Sequence, residues 1–312
     1  YDWKKYDNLD IHNLMFLDVK FPDPYSFSKS SNHDICFVKL FQKKFMPSTP
    51  VKYTKLTPSH YSYIKISEGC NNWCAFCTIP KIRGEHTSIP LETIIKEAKD
   101  QISYGAKELL LVAEDTTAWG EDIYGKPSFH LLLDELAKLP IKWIRPMYIF
   151  PSRVDSDLLN VIKKHDNITN YIDMPIQHAS DHLLTSMNRR HDKAYLEQLF
   201  KDFQAEIPEL QWRTSLIAGF PGETEEDVDE LIQFLHDYPF AQVGCFGYSY
   251  EKETRSARME GQVDAATIQS RIERIMTAQL KLVEERNQDK VGQTLEIIYE
   301  GNQTARSQFE SP

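Results

Sequence analysis

The 312-residue sequence predicts an α/β chain, a partial (β/α)6 barrel, on three observations. From Tyr61 onward, strand-like and helix-like segments alternate. Leu109–Ala113 is an unbroken apolar run of the kind buried on both faces of a parallel sheet. Chemically loaded runs directly follow strand-like segments, and in such barrels the functional loops collect at the C-terminal ends of the strands.

Taken in order, Tyr61–Ile66 reads as a first strand running into a cysteine-rich loop. Leu91–Tyr104 has helical spacing and is stopped by Gly105. Leu109–Ala113 is the second strand, His130–Leu139 a helix and Trp143–Phe150 a third strand. A helix at Asp155–His165 and a short strand at Tyr171–Met174 follow, then helices at Asp181–Met187 and Ala194–Gln204. Trp212–Ala218 is the fifth strand, and Glu225–Asp237 a helix with Thr224 as N-cap. Gln242–Tyr248 is the sixth strand. After it comes a long amphipathic helix with Ile268, Ile272, Ile275, Met276 and Val283 on one stripe. Right-handed crossovers between six such repeats curl the sheet into a barrel or part of one.

The flanks read differently. Residues 1–56, with Pro22, Pro24, Pro47, Pro50 and the polar run Ser26 to Asp34, have no sustained periodicity and read as a lead-in. Residues 57–290 form the core. Within 291–312, Val291–Gly301 alternates as a strand does. It can open a small C-terminal β-barrel or be a simple edge strand.

Hydrophobic content of 41% with 26% charged residues is ordinary for a soluble globular protein. No apolar run approaches the roughly 20 residues of a membrane helix, so no membrane partner is expected. A net charge of −10 disfavours polyanion binding by the chain as a whole, though local patches can reverse that. With no secretory signal apparent, the clustered cysteines suit a reducing cytoplasm.

Those cysteines are Cys70, Cys74 and Cys77, in C-x3-C-x2-C spacing. Three thiolates on so short a loop can wrap one face of an iron–sulfur cube and leave one iron open, as catalytic rather than structural metal sites do. A zinc knot is the alternative and wants four ligands. Cys36 and Cys245 are unpaired in sequence, and His60 and His86 stand at no recognised spacing. The bacterial ferredoxin pattern does not match either.

The run Ser67 to Cys77, with Phe76 before the third cysteine, resembles the signature loop of radical S-adenosylmethionine (SAM) enzymes. The likeness covers about Thr57 to Gly301. Ile79-Pro80-Lys81-Ile82-Arg83-Gly84 and Gly219-Phe220-Pro221-Gly222-Glu223 are similar to the methylthiotransferase branch. Three further stretches, Ala113–Gly120, Met174–Ser180 and Val243–Phe246, resemble the enzymes that modify an aspartate of a small-subunit ribosomal protein. A transfer-RNA adenosine methylthiotransferase is the alternative, as is a noncatalytic ribosomal-protein adaptor with a vestigial loop.

The resemblance implies a radical SAM barrel with a TRAM-like C-terminal barrel beginning at 291–312, a [4Fe–4S] cluster and SAM. It implies ligation of the cluster by Cys70, Cys74 and Cys77. SAM methylates a cluster-held sulfur and also yields the radical that takes hydrogen from the aspartate β-carbon. The family's second [4Fe–4S] cluster, the sulfur donor, needs three further cysteines, and upstream of Cys70 there is only Cys36. The chain therefore reads as a catalytic core, with a small-subunit ribosomal protein as substrate and a flavodoxin or ferredoxin as electron donor.

For SAM, the strand-end residues supply the candidates. Phe76 can shield the cube or pack by the adenine, and as a plain alternative is a core aromatic. Glu114 and Asp115 can accept from the SAM ammonium or a ribose hydroxyl, or cap the next turn. Gln177 and His178 can reach the ribose, although a lone histidine is often structural. Arg213 suits the SAM carboxylate, or a buried ion pair. Gly219 and Gly222 let backbone approach the adenine, with Pro221 stiffening the turn. Arg189, Arg190, His191 and Lys193 are the densest basic cluster, able to touch RNA or an acidic patch, or simply to be solvated. Cys245 reads as a core residue.

Overall fold

The structure, a computed structural model, describes residues 58–301 and 303–310. The expected lead-in 1–56, with Cys36, lies outside the described residues. Six parallel strands run in sequence order: β1 (Tyr61–Lys65), β4 (Glu108–Val112) and β5 (Trp143–Pro146) form one sheet. β6 (Tyr171–Asp173), β7 (Gln211–Ala218) and β8 (Gln242–Gly247) form the other. A bridge from Ile144 to Ile168 and the Ile149 N–H bonded to the Asp173 carbonyl at 2.9 Å join the two. The sheet is a six-stranded partial barrel, as the alternation predicts.

Each strand divides its residues by period two. In β7, Trp212, Thr214, Leu216 and Ala218 are buried, while Gln211, Arg213, Ser215 and Ile217 alternate with them. The outward set meets helices α2 (Leu91–Ser103), α4 (Phe129–Ala137), α5 (Ser156–Lys164), α7 (Lys193–Glu206) and α8 (Glu225–Asp237) in one large apolar core. Leu109 and Leu111 lie in it with no exposure, and each such side chain contributes about 1.5–3 kcal/mol on burial. Short helices α1 (Ile79–Arg83), α3 (Glu121–Tyr124) and α6 (Asp181–Ser186) sit among the loops. Thr224 caps α8 in a full capping box with Asp227.

Two strand boundaries differ from expectation. β5 ends at Pro146 rather than Phe150, because Tyr148 then turns into the left-handed region at φ 55°. The alternating run Val291–Gly301 is strand only from Ile297. There, β9 (Ile297–Gly301) pairs antiparallel with β10 (Thr304–Ser307) after the long α9 (Ala265–Asp289). The observed element is this hairpin.

The hairpin caps the N-terminal end of the barrel through buried charge. Glu108 opens β4 with Arg145 beside it on β5, Nε to Oε1 at 2.6 Å, both side chains fully buried. Arg306 of β10 reaches the other Glu108 oxygen at 2.5 Å and Glu300 at 3.1 Å. Arg145 also donates to the Gln308 carbonyl and lies 4.5 Å over the Tyr171 ring. One carboxylate thus serves two guanidinium groups in a dry floor. Glu108→Gln leaves Arg145 buried without its counter-charge and is expected to cost about 3–5 kcal/mol. Urea unfolding of the variant against the wild type checks that loss.

Candidate functional site

The cysteine loop begins where β2 (Ser67–Glu68) pairs with β3 (Thr87–Ser88), a two-residue ribbon that closes its base. Gly69 sits at φ 76°, and a Cβ there would lie 2.3 Å from the Glu85 carbonyl oxygen, so only glycine fits. The Cys70 N–H bonds the Gly84 carbonyl at 3.2 Å, and the Ala75 N–H bonds Met187 O at 2.9 Å. Asn188 Nδ2 donates to the carbonyls of Asn72 and Trp73. The loop is therefore held from two separate parts of the barrel mouth, the Gly84 backbone and the Met187–Asn188 turn.

Asp115 is the main side-chain anchor. It is 1% exposed. Its Oδ2 accepts from Asn72 Nδ2 at 2.7 Å and Arg153 Nη1 at 2.9 Å; its Oδ1 accepts from Thr117 Oγ1 at 2.5 Å and the Ala118 N–H. Four donors occupy this carboxylate, so it caps and braces the loop and has no oxygen left for a ribose or ammonium. Neighbouring Glu114 is the open one: its Oε2 is buried without a partner among the described residues. An unpaired buried carboxylate oxygen at a strand end fits a cationic ligand group.

Burial pushes the Cys70 thiol up to about 11, and Cys77 is raised by the same cause. Each lies near enough to the other cysteines for their charges to oppose ionisation. Cys70 and Cys77 thus take the thiolate form only with compensating positive charge, which a metal cluster supplies. Arg189 supplies part of it. Its Nη1 is 3.5 Å from Cys74 Sγ, Nη2 bonds Pro175 O at 2.5 Å, and the guanidinium lies 4.1 Å over the Phe150 ring. Three thiols on one short braced loop, a nearby guanidinium and an orphan carboxylate are a donor set that fits an iron–sulfur cluster with an amino-acid-like ligand.

The other expected residues distribute unevenly. Phe76 packs with Phe220, Met187, Leu183 and Ala75 in a small apolar cluster beneath the loop. Gln177 follows β6 at φ 73° with its backbone bonded to Ser215 and Ile217. His178 is fully buried, accepting from the Ser180 N–H at Nδ1 with Nε2 3.4 Å from Glu223, a structural role. Gly219 donates its N–H to Glu223 Oε2 at 2.7 Å, and a Cβ there would meet Ile268 of α9 at 2.2 Å. Packing against that helix already demands glycine. Arg213 pairs with the buried Asp173 at 2.6 Å. It stands six residues before Gly219, in register with the last residue of β6. Cys245 packs against the core, and burial pushes its thiol up to about 12.

The basic run does not form a common face. Arg189 turns into the site, His191 is buried, Lys193 pairs with Glu230 at 2.9 Å, and only Arg190 is exposed. Arg153 and Asn72 were not read from sequence, since their partners lie 38 to 81 residues away along the chain. Among the described residues, no helix is long and apolar enough to cross a membrane.

The family described as the radical SAM superfamily matches residues 64–235 of the chain, the strands and loops just described. The chain is 44% identical over 245 residues to the ribosomal protein uS12 methylthiotransferase RimO of Clostridioides difficile (strain 630), covering 78% of this chain and 55% of that protein. Its counterpart in Flavobacterium johnsoniae is 42% identical over 261 residues, 82% and 60% of the two chains. The chain thus spans about half the length of the curated relatives it matches. Among solved structures, the radical SAM methyltransferase TsrM from Kitasatospora setae superposes with a TM-score of 0.51 at 15% identity, over 60% of this chain and 36% of that one. The Escherichia coli coproporphyrinogen III oxidase HemN gives 0.50 at 14%, over 88% and 61%. These two likenesses speak to the fold.

Arg189→Gln removes the cation beside Cys74 while keeping a hydrogen-bonding side chain. Cluster potentials follow local charge and hydrogen bonds to sulfur. The reconstituted variant is expected to show a more negative midpoint than the wild type in a redox titration followed by electron paramagnetic resonance.

Proposed function

The chain belongs to the radical SAM superfamily, and on that premise we propose that it is the catalytic core of an enzyme that methylthiolates an aspartate of ribosomal protein uS12. The observation that carries the reading is the 44% identity to a uS12 methylthiotransferase over 245 residues. The site's chemistry agrees with it. When bound, the cluster and SAM supply a one-electron route to breaking an unactivated carbon–hydrogen bond.

The chain's own residues do the rest. Cys70, Cys74 and Cys77 anchor the cluster, and the braced loop keeps them on one side of the barrel mouth. Arg189 balances thiolate charge at Cys74. Glu114 offers its free oxygen to the SAM ammonium. Phe76 and its apolar neighbours exclude water beneath the loop. Gln177, at the adjoining strand end, is placed to meet a ribose. A low-potential protein of the flavodoxin or ferredoxin kind would supply electrons.

Among the described residues the only further cysteine is Cys245, inside β8. A second, sulfur-donating cluster therefore has no ligand set within them. Given SAM and dithionite, the anaerobically reconstituted chain is expected to form 5′-deoxyadenosine. Replacing any of the three cysteines by alanine should reduce that beyond about 100-fold, the upper range for mere outer-shell partners. Mass spectrometry of uS12 and of bulk transfer RNA from a deletion strain decides the substrate. Loss of methylthio-aspartate is expected; loss of methylthio-adenosine instead would contradict the proposal.

A further inference from the structure

Above the charged floor, Leu110, Met147 and Tyr171 pack together on the inner face of the barrel, while other large polar side chains near them stay accessible. Tyr63 of β1 is 42% exposed and Tyr148, after β5, 43% exposed. Arg213 of β7 keeps 28% of its side chain exposed while holding Asp173, which has none. Tyr148 precedes Ile149, whose N–H bonds the Asp173 carbonyl at 2.9 Å beside Arg213, and Tyr63 lies within electrostatic reach of Tyr148. An apolar lumen is the ordinary way to fill a barrel of this size. Three large polar side chains left accessible inside it call for a ligand.

We propose that Arg213, Tyr63 and Tyr148 form the pocket that takes the carboxylate of the acceptor side chain on a polypeptide substrate. The proposal rests on the methylthiotransferase reading and names how that site tells its substrate. A guanidinium carries five N–H donors in a planar fork. Only Nη1 of Arg213 is used, by Asp173 at 2.6 Å, and among the described residues the other donors have no protein partner. Asp173 is rigidly held: its backbone carbonyl accepts from Ile149 at 2.9 Å, and its register partner on β7 is Arg213 itself. The buried carboxylate thus fixes the fork and leaves the remaining donors turned to the cavity.

Both tyrosine hydroxyls can donate to the same anion. They make no hydrogen bond to the protein among the described residues, so nothing has to be broken for a ligand to bind.

The chemistry favours a carboxylate over a phosphodiester. The pocket holds one cation already half-neutralised by Asp173, whereas nucleic-acid backbones are held by several.

The test uses the iron- and sulfide-reconstituted, SAM-loaded chain and recombinant uS12 as the probe, with affinity read by fluorescence anisotropy. Tyr63→Phe, Tyr148→Phe and Arg213→Lys each remove donors without emptying the cavity, and Lys keeps a counter-charge for Asp173. Each is expected to weaken uS12 binding about tenfold or more, the value of a hydrogen bond to a charged group, with SAM affinity unchanged. Asparagine in place of the acceptor aspartate should weaken wild-type binding similarly and abolish the difference between wild type and variants. Variants that bind uS12 as tightly as the wild type overturn the pocket, as does a parallel loss of SAM affinity. A wild-type chain that binds SAM but not uS12 overturns the functional reading itself, and this assignment with it.

Discussion

Burial opposes ionisation of the cysteine thiols, and the architecture of the mouth answers that one constraint. Cys70 is pushed up to about 11 when no cation faces it. Cys70, the likewise raised Cys77, and Cys74 stay together on a loop only if that loop is held by bonds that do not depend on them. Gly69 in its left-handed turn, the β2–β3 ribbon, and the Asn72–Asp115–Arg153 bracing provide those bonds. Arg189 then donates to Cys74 Sγ and its charge favours ionisation at Cys77. The loop is pre-shaped and electrostatically incomplete, and a positively charged inorganic group completes it.

The barrel carries charge at three heights, and not for one purpose. At the floor, Glu108 is matched by Arg145 and Arg306 and sealed from water, so its charges are spent on holding the hairpin in place. Midway, the Asp173–Arg213 pair is only half enclosed and keeps donors free. Near the mouth, Glu114 keeps an oxygen free. Charges spent on one another at the floor thus give way to groups with a free donor or acceptor above it, which separates what stabilises the fold from what can meet a ligand.

Much of this was legible in the sequence where the signal is local. The cysteine spacing is a statement about eleven consecutive residues, Ser67 to Cys77, and the strand–helix alternation one about short periods. Thr224 as the α8 cap is equally local. Roles that depend on a distant partner were not legible. Asp115 looks like Glu114 in the chain, and only Asn72 and Arg153 arriving from elsewhere make it a brace. Arg189 sits in a basic run that reads as solvated surface, until the fold brings Cys74 to it from 115 residues away. Arg213 was read toward SAM or a buried pair, and its pairing with Asp173 depends on the register of β6 and β7, which the chain does not display. Pattern shows which groups are present; packing settles which are already used.

The central claim is that three protein ligands leave one iron free. The electron paramagnetic resonance spectrum of the dithionite-reduced, reconstituted chain, recorded with and without SAM, tests it most directly. A spectrum that changes on adding SAM is the expected result. An identical spectrum, or stoichiometric zinc without acid-labile sulfide, would contradict it.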